Sequence, residues 1–473
     1  MLRRRDFLHS SMAAGIAARQ GSAAQPKPNF LFLIADDLTF RAIEKLNNPE
    51  VSTPNLNRLM KQGCTFTHCF HQGSWLPAVC VASRSMLNSG LSAFRVQRNL
   101  AKAPLWGETM GAAGYDTSIA GKWHLSKPDL NRSFKHQAVV AGGMFESGPT
   151  AYNRPSPGNT WSPSDQALKG QWLETKTWQP GSAAPIKHSA QIFSEAASDY
   201  LLKRRDNANP FLLYVGFTSP HDPRQAPRAY VDRYPQARIK VPPNYLPEHP
   251  FDQGDNKIRD EVLAPFPRTR EAVQLHRAEY YAHVDYFDNQ IGHILDALEK
   301  SGHAANTYVI LTADHGLAVG QHGLMGKQNL YDHSTRIPLI VGGPGIAPGK
   351  RVDDMVYQHS VYPTACELAG LAVPSTVEFP SLMDHLKGKG TEKHDAVFCF
   401  YRGFQRSVRT PGHKLIVYPQ AGMTQLFDLK KDPWEIHNLA AEPKHAALKQ
   451  HLLERLHRFQ RELEDDLPAV VNV

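Results

Sequence analysis

Four short apolar runs, each breaking off at polar or charged residues, constrain this chain more than any other feature. Asn29-Phe30-Leu31-Phe32-Leu33-Ile34-Ala35 runs into Asp36-Asp37, and Tyr308-Val309-Ile310-Leu311-Thr312-Ala313 runs into Asp314-His315-Gly316. Phe211 to Phe217 leads to Ser219-Pro220-His221, and the weaker run Tyr115 to Ala120 leads to Gly121-Lys122-Trp123-His124. Continuous apolar runs alternating with helical segments describe strands buried on both faces, as in a mostly parallel α/β sheet flanked by helices. Ligands bind such sheets beyond the carboxyl ends of the strands. Asp36, Asp37, Lys122, His124, His221, Asp314 and His315 are therefore expected along one edge, with Ser219 a weaker candidate.

The spacing predicts a helix over Thr53 to Gln62, with Thr53 as N-cap and Pro54 in the first turn, and a long amphipathic helix over Glu271 to Lys300. Gly142 to Asp165 and Asp222 to Arg268 are rich in Pro, Gly, Asn and Trp without a period, and read as long surface loops. Tyr152, Trp161, Trp172 and Trp178 in the loop region either stack on a sugar ring or pack beneath the loops. After a helical Tyr362 to Gly370, short strands at Ala396 to Tyr401, Ser407 to Thr410, Lys414 to Tyr418 and Gln425 to Leu429 precede a helix at His445 to Leu463. The expected architecture is a large catalytic domain over 25–389 and a smaller C-terminal antiparallel sheet plus helix over 390–473.

Residues 1–24 open with Arg3-Arg4-Arg5-Asp6-Phe7-Leu8, continue through a small, weakly apolar run and end in Ala23-Ala24. This reads as a twin-arginine export signal and places the protein in the periplasm or outside the cell. The formal net charge is +8, and four Arg against one Asp in that segment leave about +5 on the remainder. Such a bias suits an anionic substrate; without a dense Lys/Arg stripe it gives no reason to expect nucleic acid. No apolar run reaches the roughly 18 residues of a membrane span. Of five cysteines, Cys64 with Cys69 or Cys366 with Cys399 could bridge, or all four could be free buried thiols, which leaves Cys80 as the odd one.

Adjacent carboxylates at the end of a buried strand raise each other's pKa unless positive charge stands between them. Asp36-Asp37 therefore calls for a cation or an arginine, and Asp314 completes an oxygen-rich set of the kind that suits Ca²⁺ or Mg²⁺. His315 adds a nitrogen, which keeps Mn²⁺ or Zn²⁺ open. Cys80, placed after Pro77 with no breaker from Val81 to Ser89, is expected at a helix start, where free amides attract anions and lower a thiol pKa. Arg84 lies one turn on, its fork suited to an oxyanion.

Cys80-Val81-Ala82-Ser83-Arg84 has the Cys-x-(Pro or Ala)-x-Arg form read by formylglycine-generating enzymes. With Asp36-Asp37, Gly121-Lys122-Trp123-His124-Leu125, Ser219-Pro220-His221, Thr312-Ala313-Asp314-His315-Gly316 and Gly326-Lys327, it resembles the formylglycine-dependent sulfatases of the alkaline phosphatase-like superfamily. The resemblance spans Lys27 to the C-terminus, including Leu426-Phe427-Asp428-Leu429 and Asp432-Pro433. It implies that a maturation enzyme oxidises Cys80 to formylglycine, whose hydrated aldehyde supplies the attacking hydroxyl. It also implies that Asp36, Asp37, Asp314, His315 and residue 80 hold a divalent ion, expected to be Ca²⁺ with Mg²⁺ or Mn²⁺ as alternatives. Arg84 and His124 would activate the nucleophile, Lys122 and Lys327 bind sulfate, and His221 protonate the leaving alcohol; His322 either touches substrate or is structural. Ala82 stands where Pro is more usual and His315 where many relatives have Asn, a version similar to iduronate and choline sulfatases and phosphonate monoester hydrolases. The expected activity is sulfate-ester hydrolysis on a sulfated carbohydrate, without stable membrane association. A phosphonate or phosphate ester hydrolase and a non-catalytic glycan-binding relative are the other readings.

Overall fold

In a computed structural model the described residues are 26–142, 187–389 and 394–467, apart from 47, 205, 206, 208, 223 and 225. The candidate export signal and Tyr152, Trp161, Trp172 and Trp178 lie outside them. The strands are β1 (Asn29–Ala35), β2 (Cys64–Phe70), β3 (Gly73–Ser74), β4 (Asp116–Lys122), β5 (His136–Ala141), β6 (Phe211–Gly216), β7 (Thr307–Ala313), β8 (Arg336–Gly342), β9 (Lys350–Tyr357), β10 (Val397–Tyr401), β11 (Gln405–Arg409), β12 (His413–Tyr418) and β13 (Met423–Asp428).

The larger sheet has the order β5-β4-β6-β1-β7-β8-β2-β9. Its pairs β5/β4, β4/β6, β6/β1, β1/β7 and β2/β9 are parallel; only β8 runs antiparallel to its neighbours β7 and β2. β1, β6 and β7 are buried along their whole length, which is why they read as unbroken apolar runs. The four strands marked out by sequence, β4, β6, β1 and β7, are consecutive neighbours, so their polar ends converge on one stretch of the sheet edge. The weakest run begins one residue later than its apolar pattern suggested, because Tyr115 instead packs in the core beside Phe30.

The helix Arg270–Lys300 is buried at most of its positions and wraps the sheet with Ser189–Lys203. Thr53 precedes the helix Pro54–Gln62 as expected, but its hydroxyl accepts from Glu44 N at 3.0 Å instead of capping. The helix is capped by Asp288, which accepts from the amides of Asn55 and Leu56 at 3.0 and 2.7 Å. Asp222 to Arg268 is largely irregular, yet Asp222, Asp260, Glu261 and Arg268 are buried within it. It is thus a wall of the molecule as much as a surface loop.

The smaller sheet, β13-β12-β11-β10-β3, is antiparallel except that β10 pairs in parallel with the two-residue β3 from the N-terminal half. Its core joins Phe398, Val408, Leu415 and Leu456 of the terminal helix Ala446–Leu463 with Ala82 and Met86. The helix Val79–Ser89 is therefore clamped between two sheets, because its Leu87 packs into the larger core. All five cysteines are buried and free. No helix among the described residues is long and apolar enough to cross a membrane.

Candidate active site

Cys80 is the second residue of the helix Val79–Ser89, 3% exposed, with Lys122 Nζ 3.7 Å from its Sγ. Burial pushes its thiol up and is the largest single effect, with Asp36 acting the same way, but Lys122 and hydrogen bonds from the His124 and His315 imidazoles together outweigh them. The thiol sits well below its ordinary range, as expected of a reactive position at a helix start. Donor atoms of Asp36, Cys80, Asp314 and His315 lie within 4.8 Å of one another, as do those of Asp36, Asp37 and His221.

The two groups share Asp36, and His315 of the first reaches Asp37 of the second. His315 Nδ1 donates to Gly316 O at 3.0 Å, since a carbonyl oxygen can only accept. Nε2 then faces Asp37 Oδ1 at 3.0 Å, Asp314 Oδ1 at 3.5 Å and Asp36 Oδ1 at 3.8 Å. Both His315 Nε2 and Asp36 Oδ1 are buried without a hydrogen-bond partner. A nitrogen and three carboxylate oxygens aimed at one buried point require positive charge there, either a proton or a metal ion. Burial alone pushes His315 down, yet Asp37 and Asp314 outweigh it and raise the ring well above the usual histidine range. Asp314 is pushed up to about 6, first by burial and then by the Asp36 charge. The oxygen-rich donor set fits a hard divalent cation, which Asp36, Asp37 and Asp314 would hold together with His315 and residue 80.

Positive side chains balance this cluster. Lys122 Nζ donates to Asp36 Oδ2, Lys327 Nζ to Asp37 Oδ1 and Oδ2 at 2.9 and 3.1 Å, and Arg84 Nε to Asp314 Oδ2 at 2.9 Å. Three aspartates and three cations nearly cancel, so a bound divalent ion would leave a surplus of about two positive charges for an anionic ester. Burial opposes the charge on both lysines; Asp36 raises Lys122 against it, and Asp37 and Asp260 raise Lys327 well above the usual lysine range. Arg84 Nη1 donates to Lys122 O at 2.9 Å, so this arginine locks β4 and β7 to the helix while Nη2 stays buried and unpaired. Asp37 (φ 67°) and His124 (φ 69°) occupy the left-handed region, and such strain at non-glycine residues clusters at functional sites.

The expected residues from the four strand ends, with Cys80, Arg84 and Lys327, come together; Ser219 and His322 do not join them. Ser219 hydrogen-bonds His283 Nε2 at 2.8 Å. His322 stacks on Tyr331, with centroids 3.8 Å apart, and pairs with Asn244 at 2.9 Å; burial pushes its pKa down to about 3. These contacts build it into the junction with the smaller sheet.

Sequence reasoning missed Asp222, Arg259 and Asp260. His221 Nδ1 donates to Asp222 O at 2.6 Å, Asp222 Oδ1 meets Arg259 Nη2 at 3.2 Å, Arg259 Nε donates to Asp260 Oδ1 at 2.9 Å, and Asp260 Oδ2 lies 3.8 Å from Lys327 Nζ. With His221 Nε2 3.8 Å from Asp37 Oδ2, the path closes into a ring of alternating charge around the site. Only the adjacency of Asp222 to His221 signalled any of this.

A mostly parallel sheet with an oxygen-rich cluster of acidic side chains and a buried cysteine at a helix start on its carboxyl edge has the architecture of the alkaline phosphatase-like fold. The chain belongs to the sulfatase family, which it matches over residues 28–371. It is a sulfuric ester hydrolase. Residues 320–462 also match the family described as N-sulphoglucosamine sulphohydrolase, C-terminal. A sulfatase of Formosa agariphila is 29% identical over 89% of this chain and 86% of its own length. A choline-sulfatase of Rhizobium meliloti is 28% identical over 88% and 83%. A structure solved with its substrate D-glucosamine-2-N,6-O-disulfate superposes with a TM-score of 0.72 at 20% identity, covering 94% of this chain and 100% of that one.

Proposed function

We propose that this protein is an exported sulfatase acting on a sulfated carbohydrate, with Cys80 matured to formylglycine by a modifying enzyme and Ca²⁺ held by Asp36, Asp37, Asp314 and His315. The observation that carries the chemistry is the placement of Cys80: a helix start, a depressed thiol and the Lys122 ammonium, all within the carboxylate cluster. The mild positive bias and the match to a sulphoglucosamine sulphohydrolase C-terminal region support the carbohydrate. The Arg3-Arg4-Arg5 segment supports export.

Hydration of the residue-80 aldehyde would supply the attacking hydroxyl, and after the alcohol leaves, collapse of the second hydroxyl to the aldehyde would expel sulfate; a bound divalent ion would supply Lewis-acid polarisation of the sulfate. Lys122 and Lys327 hold the sulfate's negative charge from the β4 side and the Gly326-Lys327 side, with their charges fixed by Asp36 and Asp37. His124, with Nδ1 buried and unpaired, stands beside residue 80 as the group that takes and returns its proton. His221, whose Nδ1 is committed to Asp222 O, offers Nε2 to the leaving alcohol.

The test is a sulfate-release screen over defined sulfated mono- and oligosaccharides, with choline sulfate, aryl sulfate and aryl phosphonate as comparators. Release from at least one saccharide is expected. Turnover of aryl or choline sulfate alone would end the carbohydrate assignment, and preference for phosphonate would end the sulfatase one. Mass spectrometry of the peptide containing residue 80 from the native host is expected to show the aldehyde; an unmodified thiol in active protein would overturn the nucleophile.

A further inference from the structure

The loops leaving β1 and β7 at the catalytic edge enclose a second concavity that the chemistry above does not use. A cavity of about 240 Å³ lies among residues 39–50, 240–243, 317–321, the start of Arg270–Lys300 and Trp434. Tyr280 on its wall stands between it and the backbone of Asp37, donating its hydroxyl proton to Asp37 O at 2.6 Å and accepting from Thr39 N at 3.0 Å.

Its lining is largely apolar, and among its charged side chains the positive ones are in excess. Arg41, Lys240 and Arg277 share the lining with one carboxylate, Glu50, whose Oε1 is taken by Lys240 N at 2.8 Å and whose Oε2 lies 4.0 Å from Arg277 Nη2. Arg277 Nη2 also donates to the Tyr281 hydroxyl, and Arg41 feels Asp332 and Glu435 from outside the cavity. Arg41 is held ready, its guanidinium 3.9 Å from the Trp434 ring centroid and hydrogen-bonded to Pro433 O at 2.6 Å. Two polar atoms of the wall, Thr39 Oγ1 and Arg277 Nε, are buried without a partner, with Thr39 only 6% exposed. A buried polar atom left without a partner is costly unless something satisfies it. Val319, also on the wall, takes a left-handed backbone (φ 43°), a costly conformation for a β-branched residue.

We propose that this cavity is a second anion-recognising subsite, which holds a carboxylate- or sulfate-bearing sugar residue next to the one whose ester is hydrolysed. The proposal rests on the saccharide reading above and deepens it. The volume lies below the roughly 300–1,000 Å³ of a drug-sized ligand site, so the cavity takes one ring and not a chain. Trp434 and Tyr281 offer an apolar face to that ring, while Arg41, Lys240 and Arg277 take its charge.

The experiment compares wild type with Lys240→Gln, Arg41→Gln and the double variant. Lys240 is exposed, so its replacement leaves the fold intact. Turnover of 4-nitrophenyl sulfate, which fills only the Cys80 end, is expected to stay within about twofold of wild type. Binding of heparin-derived and chondroitin-sulfate tetrasaccharides, followed by calorimetry, is expected to weaken about tenfold in the double variant, and its salt dependence to flatten. Unchanged tetrasaccharide affinity, an equal loss on the aryl ester, or no tetrasaccharide binding by wild type overturns the subsite. Wild type that desulfates a saccharide while the variants bind normally sinks the subsite alone. Wild type that turns over only the aryl ester sinks the carbohydrate reading.

Discussion

His221 is the side chain whose role separates most cleanly from its neighbours', because protonating a leaving group matters in proportion to how poor that group is. Its Nδ1 is occupied by Asp222 O, so Nε2 alone can serve the alcohol. His221→Ala is expected to lower kcat on an alkyl or saccharide sulfate by about 10²–10⁴. On 4-nitrophenyl sulfate, whose leaving group needs no proton, the loss should be far smaller. Equal losses on both esters would make His221 a binding residue. The carboxylates allow a second measurement at this scale. Asp36 Oδ1 and His315 Nε2 are buried and unpaired around one point, so a cation that fits there binds the folded state and raises its melting temperature by mass action. Chelator-treated protein is expected to melt lower than protein restored with Ca²⁺. A midpoint indifferent to Ca²⁺, Mg²⁺ and Mn²⁺ alike would remove the metal assignment.

These side chains meet because elements approach unusually closely. Gly121 of β4 pairs with Gly216 of β6, and a Cβ at Gly216 would lie 2.1 Å from Lys122 O and 3.2 Å from Arg84 Nη1. Gly216→Ala must push β4 away from β6 and break the Arg84 clamp on Lys122. It is expected to cost about 3 kcal/mol or more in urea unfolding and most of the activity. Gly114→Ala is the control. That glycine has φ +87° but open space around it, so only backbone strain of about 1–2 kcal/mol is expected, with normal turnover. The strands and the helix start were legible in the sequence because β1, β6 and β7 are buried throughout and the run after Pro77 has no breaker before Gly90. Asp260 and Arg259 were not legible, because residues 222–268 have no period and their contacts are fixed by chain far away. β3 is only two residues long and gains its identity solely from pairing with β10. Sequence left His322 open between touching substrate and a structural role, and its stacking on Tyr331 favours the structural one.

At the scale of the whole molecule the question is what seats the smaller sheet against the larger one, since the helix carrying Cys80 packs between their cores. Asp332, which opens the one-turn helix Asp332–Thr335 leading into β8, receives Arg409 Nε of β11 at 3.2 Å and Lys414 Nζ of β12 at 2.8 Å. Lys414 also reaches Glu435 at 2.8 Å, and all four groups are buried. Burial pushes the Asp332 carboxyl up, but Arg409 and Lys414 outweigh it and hold it well below the usual carboxylate value of 3.8. A carboxyl whose folded-state pKa is depressed adds stability above its unfolded pKa and loses it as pH falls through the folded one. The Asp332 contribution is therefore complete at pH 7 and fades below about pH 4. Asp332→Asn leaves Arg409 buried without its carboxylate and is expected to cost about 3 kcal/mol at pH 7. Because asparagine does not titrate, the gap between variant and wild type should narrow as pH is lowered from 5 to 3. Unfolding midpoints followed by fluorescence across that range check the sign: a gap that stays constant or widens towards acid would show that Asp332 seats the sheet by packing and not by charge.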